Sequence, residues 1–181
     1  MKFLETKLKG SYIIVNEPIS DNRGFFERIF CKEELKSIGL KKEIVQINRS
    51  FSIKKGTFRG LHFQNSPFTE TKIVRCIKGS LLDIFVDLRY QSPTFLQHHM
   101  VKLSEYDNKS LYIPDGFAHG FQTLESNTEI MYFVTNFYHK EYESALNILD
   151  KNLNINLPIT ISEISEKDKK HPFINVNFTG F

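Results

Sequence analysis

The sequence predicts an all-β protein, a sandwich or a barrel, and three observations carry that prediction. Its 181 residues include 17 phenylalanines and 7 tyrosines, which fall with many Ile and Val in short runs suited to a pleated, half-buried surface. Those runs are separated by turn-forming clusters, NEP, DNRG, KKG, KGS, YQSP and PDG, whose residues favour tight reversals of the chain. Helical periodicity is nearly absent.

Each element follows in order. SYIIVNEPI (11–19) opens as a strand and ends on a proline, and DNRG (21–24) turns the chain. CKEELKSIG (31–39) is the one helical candidate: Leu35 and Ile38 stand three apart and Gly39 supplies a C-terminal stop. Strands are then predicted in EIVQINRSFSI (43–53), TFRGLHFQ (57–64), KIVRCIKGSLLDIFVDLR (72–89, broken at KGS), HHMVKLS (98–104), SLYIPDG (110–116), HGFQTLE (119–125) and IMYFVTNFY (130–138). After Tyr138 the chain is polar and asparagine-rich and reads as loop, with one helical turn at SEKDKK (165–170). One or two short peripheral helices on a β domain spanning residues 1–181 is the expectation.

Composition excludes several function classes. A net charge of +3 is spread along the chain without a basic arm, so nucleic acid is not an expected partner, whereas an anionic small molecule is. No apolar run is long enough to span a membrane. Only Cys31 and Cys76 are present and no apolar leader follows Met1, which predicts a reducing, cytoplasmic compartment.

Alternation assigns faces. In LLDIFVDLR, Leu82, Ile84, Val86 and Leu88 share one side, and Asp83, Phe85, Asp87 and Arg89 the other. Such a strand belongs to a surface sheet or to a cavity wall, and the pattern by itself favours a solvated acidic face. In GTFRGLHFQ, strict alternation separates Arg59 from His62. Either the strand is distorted near Gly60, where glycine tolerates a bulge, or Arg59 reaches a ligand around an edge. From this segment alone His62 reads as a strand histidine bonded to backbone.

A second histidine changes the reading. LYIPDGFAH contains Pro114, Gly116 and His119 in a PxGxxH pattern that resembles the second motif of the cupin superfamily. The resemblance implies a cupin-type β jelly roll, two packed antiparallel sheets with a site inside. In metal-binding cupins this histidine joins an HxH pair and a glutamate, but RGLHFQ has one histidine, and the adjacent His98 and His99 point to opposite faces of a strand. No metal ligand set is expected.

RGLHFQ, KIVRCIKGSLLDIFVDLR, SPTF, LYIPDGFAHGFQTLE, IMYFVTNFY and ISEKD, in that order from about Asp21 to Pro172, resemble the dTDP-4-dehydrorhamnose 3,5-epimerase family. The resemblance implies a homodimeric epimerase that uses no metal or organic cofactor and inverts carbons flanking the ketone of a nucleotide-diphosphate-linked sugar, in surface-polysaccharide biosynthesis. It implies His62 as base, Asp168 as the carboxylate that orients it, Lys72 near the developing O4 anion and Tyr132 as the acid of the opposite face. It further implies His119 with Asp83 as a supporting pair, and Arg23, Phe26, Gln46, Asn48, Arg59 and Tyr138 as substrate contacts, with the RGFF segment supplied by the partner subunit. A planar arginine fork suits a diphosphate.

The chain departs from the family pattern at RGFFER, where Glu27 comes one place early and Arg28 takes the glutamate's position, and at TETK, which replaces QGK. These departures leave the nucleotide open between dTDP and GDP, the latter on a 4-keto-heptose, and leave open whether C3, C5 or both are inverted. A metal-dependent cupin oxygenase or isomerase, and a non-catalytic nucleotide-sugar binding module, are the alternatives from other classes.

Overall fold

The runs predicted as strands pair antiparallel in a computed structural model that describes residues 1–181. The chain forms β1 (Lys2–Glu5), β2 (Tyr12–Val15), the small hairpin β3 (Ile19–Asp21) and β4 (Gly24–Phe26), and the helical turn α1 (Lys32–Leu35), continued by a 3-10 turn over Lys36–Ile38. Next come β5 (Gln46–Ser52), β6 (Phe58–Gln64), β7 (Lys72–Lys78), β8 (Ser80–Asp87), β9 (His98–Ser104), β10 (Lys109–Ile113), β11 (Phe117–Thr123) and β12 (Thr128–Val134). A short β13 (Glu143–Ala145) and the helical turn α2 (Glu166–Lys169) lie in the C-terminal segment. One sheet runs β1-β2-β10-β7-β12-β5 and the other β13-β6-β11-β8-β9. This is the predicted jelly roll.

Alternation builds the core. Val74, Cys76, Leu111 and Ile130 from the first sheet meet Leu81, Phe85, Leu103, Phe117 and Phe121 from the second, all buried in the space between them. The helix at 32–38 ends as expected on Gly39, whose φ of +103° suits a residue without a side chain, and Leu35 packs with Ile14, Ile73, Tyr112 and Phe133 on the outer side of the first sheet.

The outer side of the second sheet corrects two expectations. Phe58, Leu61, Ile84, Val86, Leu88 and Ala118 are covered by Leu146, Ile148 and Leu153, with Ile161, Ile164, Phe178 and Phe181 packed against them. Apart from the turn predicted at SEKDKK and from β13, an edge strand on β6 that was not predicted, the tail after Tyr138 is loop, but its isolated Leu, Ile and Phe residues form a second apolar layer. With that side sealed, the acidic side of β8 faces inward: Asp83 and Asp87 are both 0% exposed. The solvated reading of the acidic face is wrong because alternation separates two faces without saying which meets water.

Asp87 is stabilised where it lies. It accepts bonds from Arg89 Nε (2.9 Å), Arg89 Nη2 (2.7 Å), Ser92 Oγ (2.6 Å) and Thr94 Oγ1 (2.6 Å). Burial pushes its carboxyl up, and the Arg89, Ser92 and Thr94 bonds outweigh it and hold the group at about 2. A carboxylate depressed in the folded state contributes stability that is complete above its unfolded value of about 3.9 and fades as pH falls toward 2, worth on the order of 2 kcal/mol. Asp87→Asn is expected to lower Tm at pH 7 by roughly 4–8 °C. In thermal melts the gap to the parent should close as pH drops from about 4 to about 2, the window between the unfolded and folded values. A gap unchanged across that range would remove the titration of Asp87 as its cause.

Candidate active site

The strand that carries RGLHFQ is bent by one residue. Across β6 and β11, His62 lies opposite His119 and Arg59 opposite Phe121, so β6 has one residue more than β11 between those pairs. Gly60 sits in the bulge with φ +133°, and a Cβ there would lie 2.5 Å from the Gly120 Cα. Both the torsion and the close approach demand glycine. The bulge reverses the alternation: Phe58, Leu61 and Phe63 join the buried outer layer, while Arg59 and His62 both line the interior cavity. Distortion at Gly60, the first of the two alternatives, is what joins them.

The cavity has two lobes of about 460 and 360 Å³ that share His62, Lys72 and Tyr132. The larger also has Arg59, His119 and Asp168; the smaller has Gln46, Asn48, Glu70, Tyr138 and Glu143. His62 projects from β6 in one sheet, and Lys72 (β7) and Tyr132 (β12) from the other. The two sets face each other across the gap.

Asp168 is brought to His62 by the turn predicted at SEKDKK. Ser165 caps it, its Oγ accepting from the Asp168 N–H at 3.0 Å, which fixes the acid at the third position of the turn. Asp168 Oδ1 lies 2.9 Å from His62 Nε2, and Oδ2 accepts from the Gly60 N–H at 3.4 Å. Burial raises the Asp168 carboxyl, but the bond and charge of His62, with help from Gly60 and His171, hold it at about 2. An ionised carboxylate on Nε2 fixes that nitrogen as the protonated one and leaves Nδ1 as the acceptor.

The other predicted residues fall in three groups. His119 Nε2 bonds Asp83 Oδ2 at 2.8 Å, a buried pair beside the first, with His119 directly across the strands from His62. Burial pushes the Tyr132 phenol up and Glu70 adds to it, with Arg59 opposing, so the hydroxyl keeps its proton. Arg59 is braced by Ser52 Oγ and the Phe51 carbonyl, both at 3.2 Å, while the Tyr138 hydroxyl bonds Glu143 at 2.9 Å and its N–H bonds Gln46. Arg23 and Phe26 are not at the chain's own cavity: they lie on the exposed β3–β4 hairpin, with Arg23 folded onto Asp21.

Glu27 and Arg28 also lie elsewhere. Glu27 pairs with Arg75 at 2.6 Å on the covered side of the first sheet, and Arg28 with Glu34. Sequence reasoning missed Glu70, whose carboxylate lies 3.2 Å from Lys72 Nζ, and His171, whose Nε2 lies 3.1 Å from Asp168 Oδ1. Glu70 was legible as a charge two places from Lys72 in TETK, hence on the same side of an extended segment; His171, three places after Asp168, was legible as its neighbour on a helical turn.

The family model of dTDP-4-dehydrorhamnose 3,5-epimerase matches residues 5–175. The chain is 39% identical over 169 residues to the dTDP-4-dehydrorhamnose 3,5-epimerase of Shigella flexneri, covering 93% of each. Among solved structures it superposes on the dTDP-4-dehydrorhamnose 3,5-epimerase of Bacillus anthracis with TDP and PPi bound, with a TM-score of 0.92 at 38% identity, covering 96% of this chain and 99% of that one. It superposes similarly on the dTDP-6-deoxy-D-glucose-3,5-epimerase of Legionella pneumophila in complex with dTDP-4-keto-L-rhamnose, with a TM-score of 0.91 at 35% identity, covering 97% and 94%.

Proposed function

This chain belongs to the dTDP-4-dehydrorhamnose 3,5-epimerase family, and from that premise we propose that it inverts C3 and C5 of a dTDP-linked 4-keto-6-deoxy sugar through an enolate. The observation that carries the proposal is the His62–Asp168 pair, 2.9 Å apart, facing Tyr132 and Lys72 from the opposite sheet. Inversion requires a base on one face of the sugar ring and an acid on the other, and two opposed sheets supply both.

His62 takes the C–H proton on Nδ1, since Asp168 holds Nε2. The electrons move onto O4, where the Lys72 ammonium stabilises the anion, the more strongly because the cavity is partly shielded from water. Glu70 holds Lys72 at that spot. Tyr132 then delivers a proton to the other face of the carbon. The ketone itself acidifies C3 and C5 and no electrons are lost, so the step needs no redox cofactor.

The larger lobe, with Arg59 at its rim, suits the diphosphate, and Gln46, Asn48 and Tyr138 in the smaller lobe suit hydroxyl and carbonyl groups of the ligand. Ile19, Phe25 and Phe26 on the small hairpin are 72, 66 and 66% exposed, an apolar cost that a second copy of the chain would remove. In the homodimer so formed, Arg23 and Phe26 of each subunit complete the nucleotide end of the other's cavity.

Two measurements test the reading together. At 100 times its Kd, dTDP is expected to stabilise the protein by about 2.7 kcal/mol and raise Tm by roughly 5–10 °C, with GDP, UDP and CDP doing less. A larger shift with GDP would move the donor to a GDP-linked 4-keto sugar, including the heptoses. Deuterium should enter C3 and C5 of the preferred donor in heavy water, and absence of exchange with every 4-keto donor would overturn the epimerase assignment.

A further inference from the structure

We propose that His62, Asp168 and His171 form a site for a divalent transition metal, zinc(II) foremost, and that metal bound there switches the enzyme off. His171 has no part in the proton transfers above, yet its Nε2 approaches the same Asp168 Oδ1 that His62 Nε2 contacts, at 3.1 and 2.9 Å. The three candidate ligand atoms lie within 4.8 Å of one another. The imidazoles meet edge to face, with centroids 5.5 Å apart and planes at 88°.

That spacing is close to what a metal needs. Ligand atoms about 2.0–2.1 Å from a tetrahedral zinc stand roughly 3.3 Å apart, so an ion replacing the two N–H bridges requires the two N···O contacts to open by a few tenths of an ångström and the two imidazole nitrogens, which lie within 4.8 Å of each other, to take up the same separation. Two imidazoles and one carboxylate suit zinc or copper and do not suit magnesium or calcium, which prefer all-oxygen sets. The ligands are also held from behind. Gly60 N–H donates to the other oxygen of Asp168, and Asn147 Nδ2 donates to the carbonyls of Lys169 and His171 at 3.1 and 3.0 Å, which fixes the turn that carries both residues.

The side chains of Asp168 and His171 are 6 and 10% exposed, while His62 is 33% exposed toward the cavity. The ion would therefore enter from the cavity and keep its remaining position for water or substrate oxygen. The positive charge of Lys167, next to Asp168 in sequence, is offset by its ion pair with Glu143.

The inhibitory consequence rests on the epimerase reading; the binding does not. Zinc on Nε2 of His62 forces that ring's proton onto Nδ1, the nitrogen that must be empty to receive the substrate proton. No proton leaves the protein in this exchange of tautomers, and no bond of the substrate is involved. The loaded enzyme is a folded protein whose base is already occupied.

The test is zinc competition against a chromophoric chelator on the full chain, run beside turnover with and without zinc. The parent is expected to bind one zinc per chain, to lose turnover as the site fills and to regain it on EDTA, with magnesium inert. His171→Asn, which can still hydrogen-bond Asp168, and His171→Ala are expected to lose zinc affinity at least about tenfold, and to need correspondingly more zinc to lose half of whatever turnover each shows without the metal. Equal zinc affinity in parent and both variants, or no zinc bound by the parent, would overturn the site. Chelator competition reads out even if no donor turns over, so failure of the site and failure of the epimerase reading remain separate results.

Discussion

His62→Ala is expected to reduce turnover by roughly 10³–10⁴-fold and to stop deuterium incorporation at C3 and C5 alike. Both losses follow from one arrangement: the cavity holds two histidines each paired through Nε2 with an aspartate, and of these His62 is the one open to substrate, its side chain 33% exposed against 9% for His119. His119, directly across the strands, bonds the buried Asp83 and is only 8% exposed, so it does not substitute. The variant should remain folded. Asp168 loses the His62 contact but keeps those from the Gly60 N–H and His171, and one hydrogen bond lost from a retained set costs on the order of 1 kcal/mol. Proton NMR of the sugar recovered from heavy water reads both carbons in one experiment. Exchange that survives at one carbon would assign that carbon a different base.

How much of this was legible in the sequence depends on which force sets each feature. Strands β2 and β5–β12 came through because β-branched and aromatic runs between turn clusters report local chemistry, and the stop at Gly39 did so for the same reason, whereas the short β1, β4 and β13 were not predicted. The inward placement of Asp83 was implied by the family resemblance but not by alternation, because it depends on a cover supplied by residues 146–181, far along the chain and scattered among asparagines. The bulge at Gly60 was readable as a conflict: Arg59 and His62 fall on opposite faces under strict alternation, and a glycine between them is the residue that can resolve it. Its cause, the approach of Gly120 from the neighbouring strand, is tertiary.

The site divides in the same way. His62, Lys72, Tyr132 and Asp168 were placed by motif resemblance, and the structure gathers all four around one cavity. Glu70 and His171 carry no motif and were visible only as local spacing beside a residue already singled out. The hairpin with Arg23 and Phe26 illustrates the remaining limit. Ile19, Phe25 and Phe26 are exposed in the single chain, and Arg23 and Phe26 lie away from the cavity that the proposed dimer would bring them to.

Tyr132→Phe is expected to separate exchange from inversion, with deuterium incorporation kept within about tenfold of the parent and formation of the inverted sugar reduced by roughly 10²-fold or more. The substitution removes one oxygen and leaves the ring packed against the same core residues, so neither fold nor cavity shape provides a competing explanation. In the proposed mechanism proton removal falls to His62 on one sheet, which the substitution leaves untouched. In the same proposed mechanism, return of the proton to the opposite face falls to the phenol on the other sheet, whose proton burial and the Glu70 charge make harder to lose to solvent. Without it the enolate recovers its proton from the side that removed it, and solvent deuterium enters with the original configuration retained. Equal losses of exchange and inversion would instead make Tyr132 a binding group, and unchanged inversion would transfer the acid's role to water or another residue. The comparison is informative because the two outcomes are measured on one recovered sugar, at the same carbon, with the base intact.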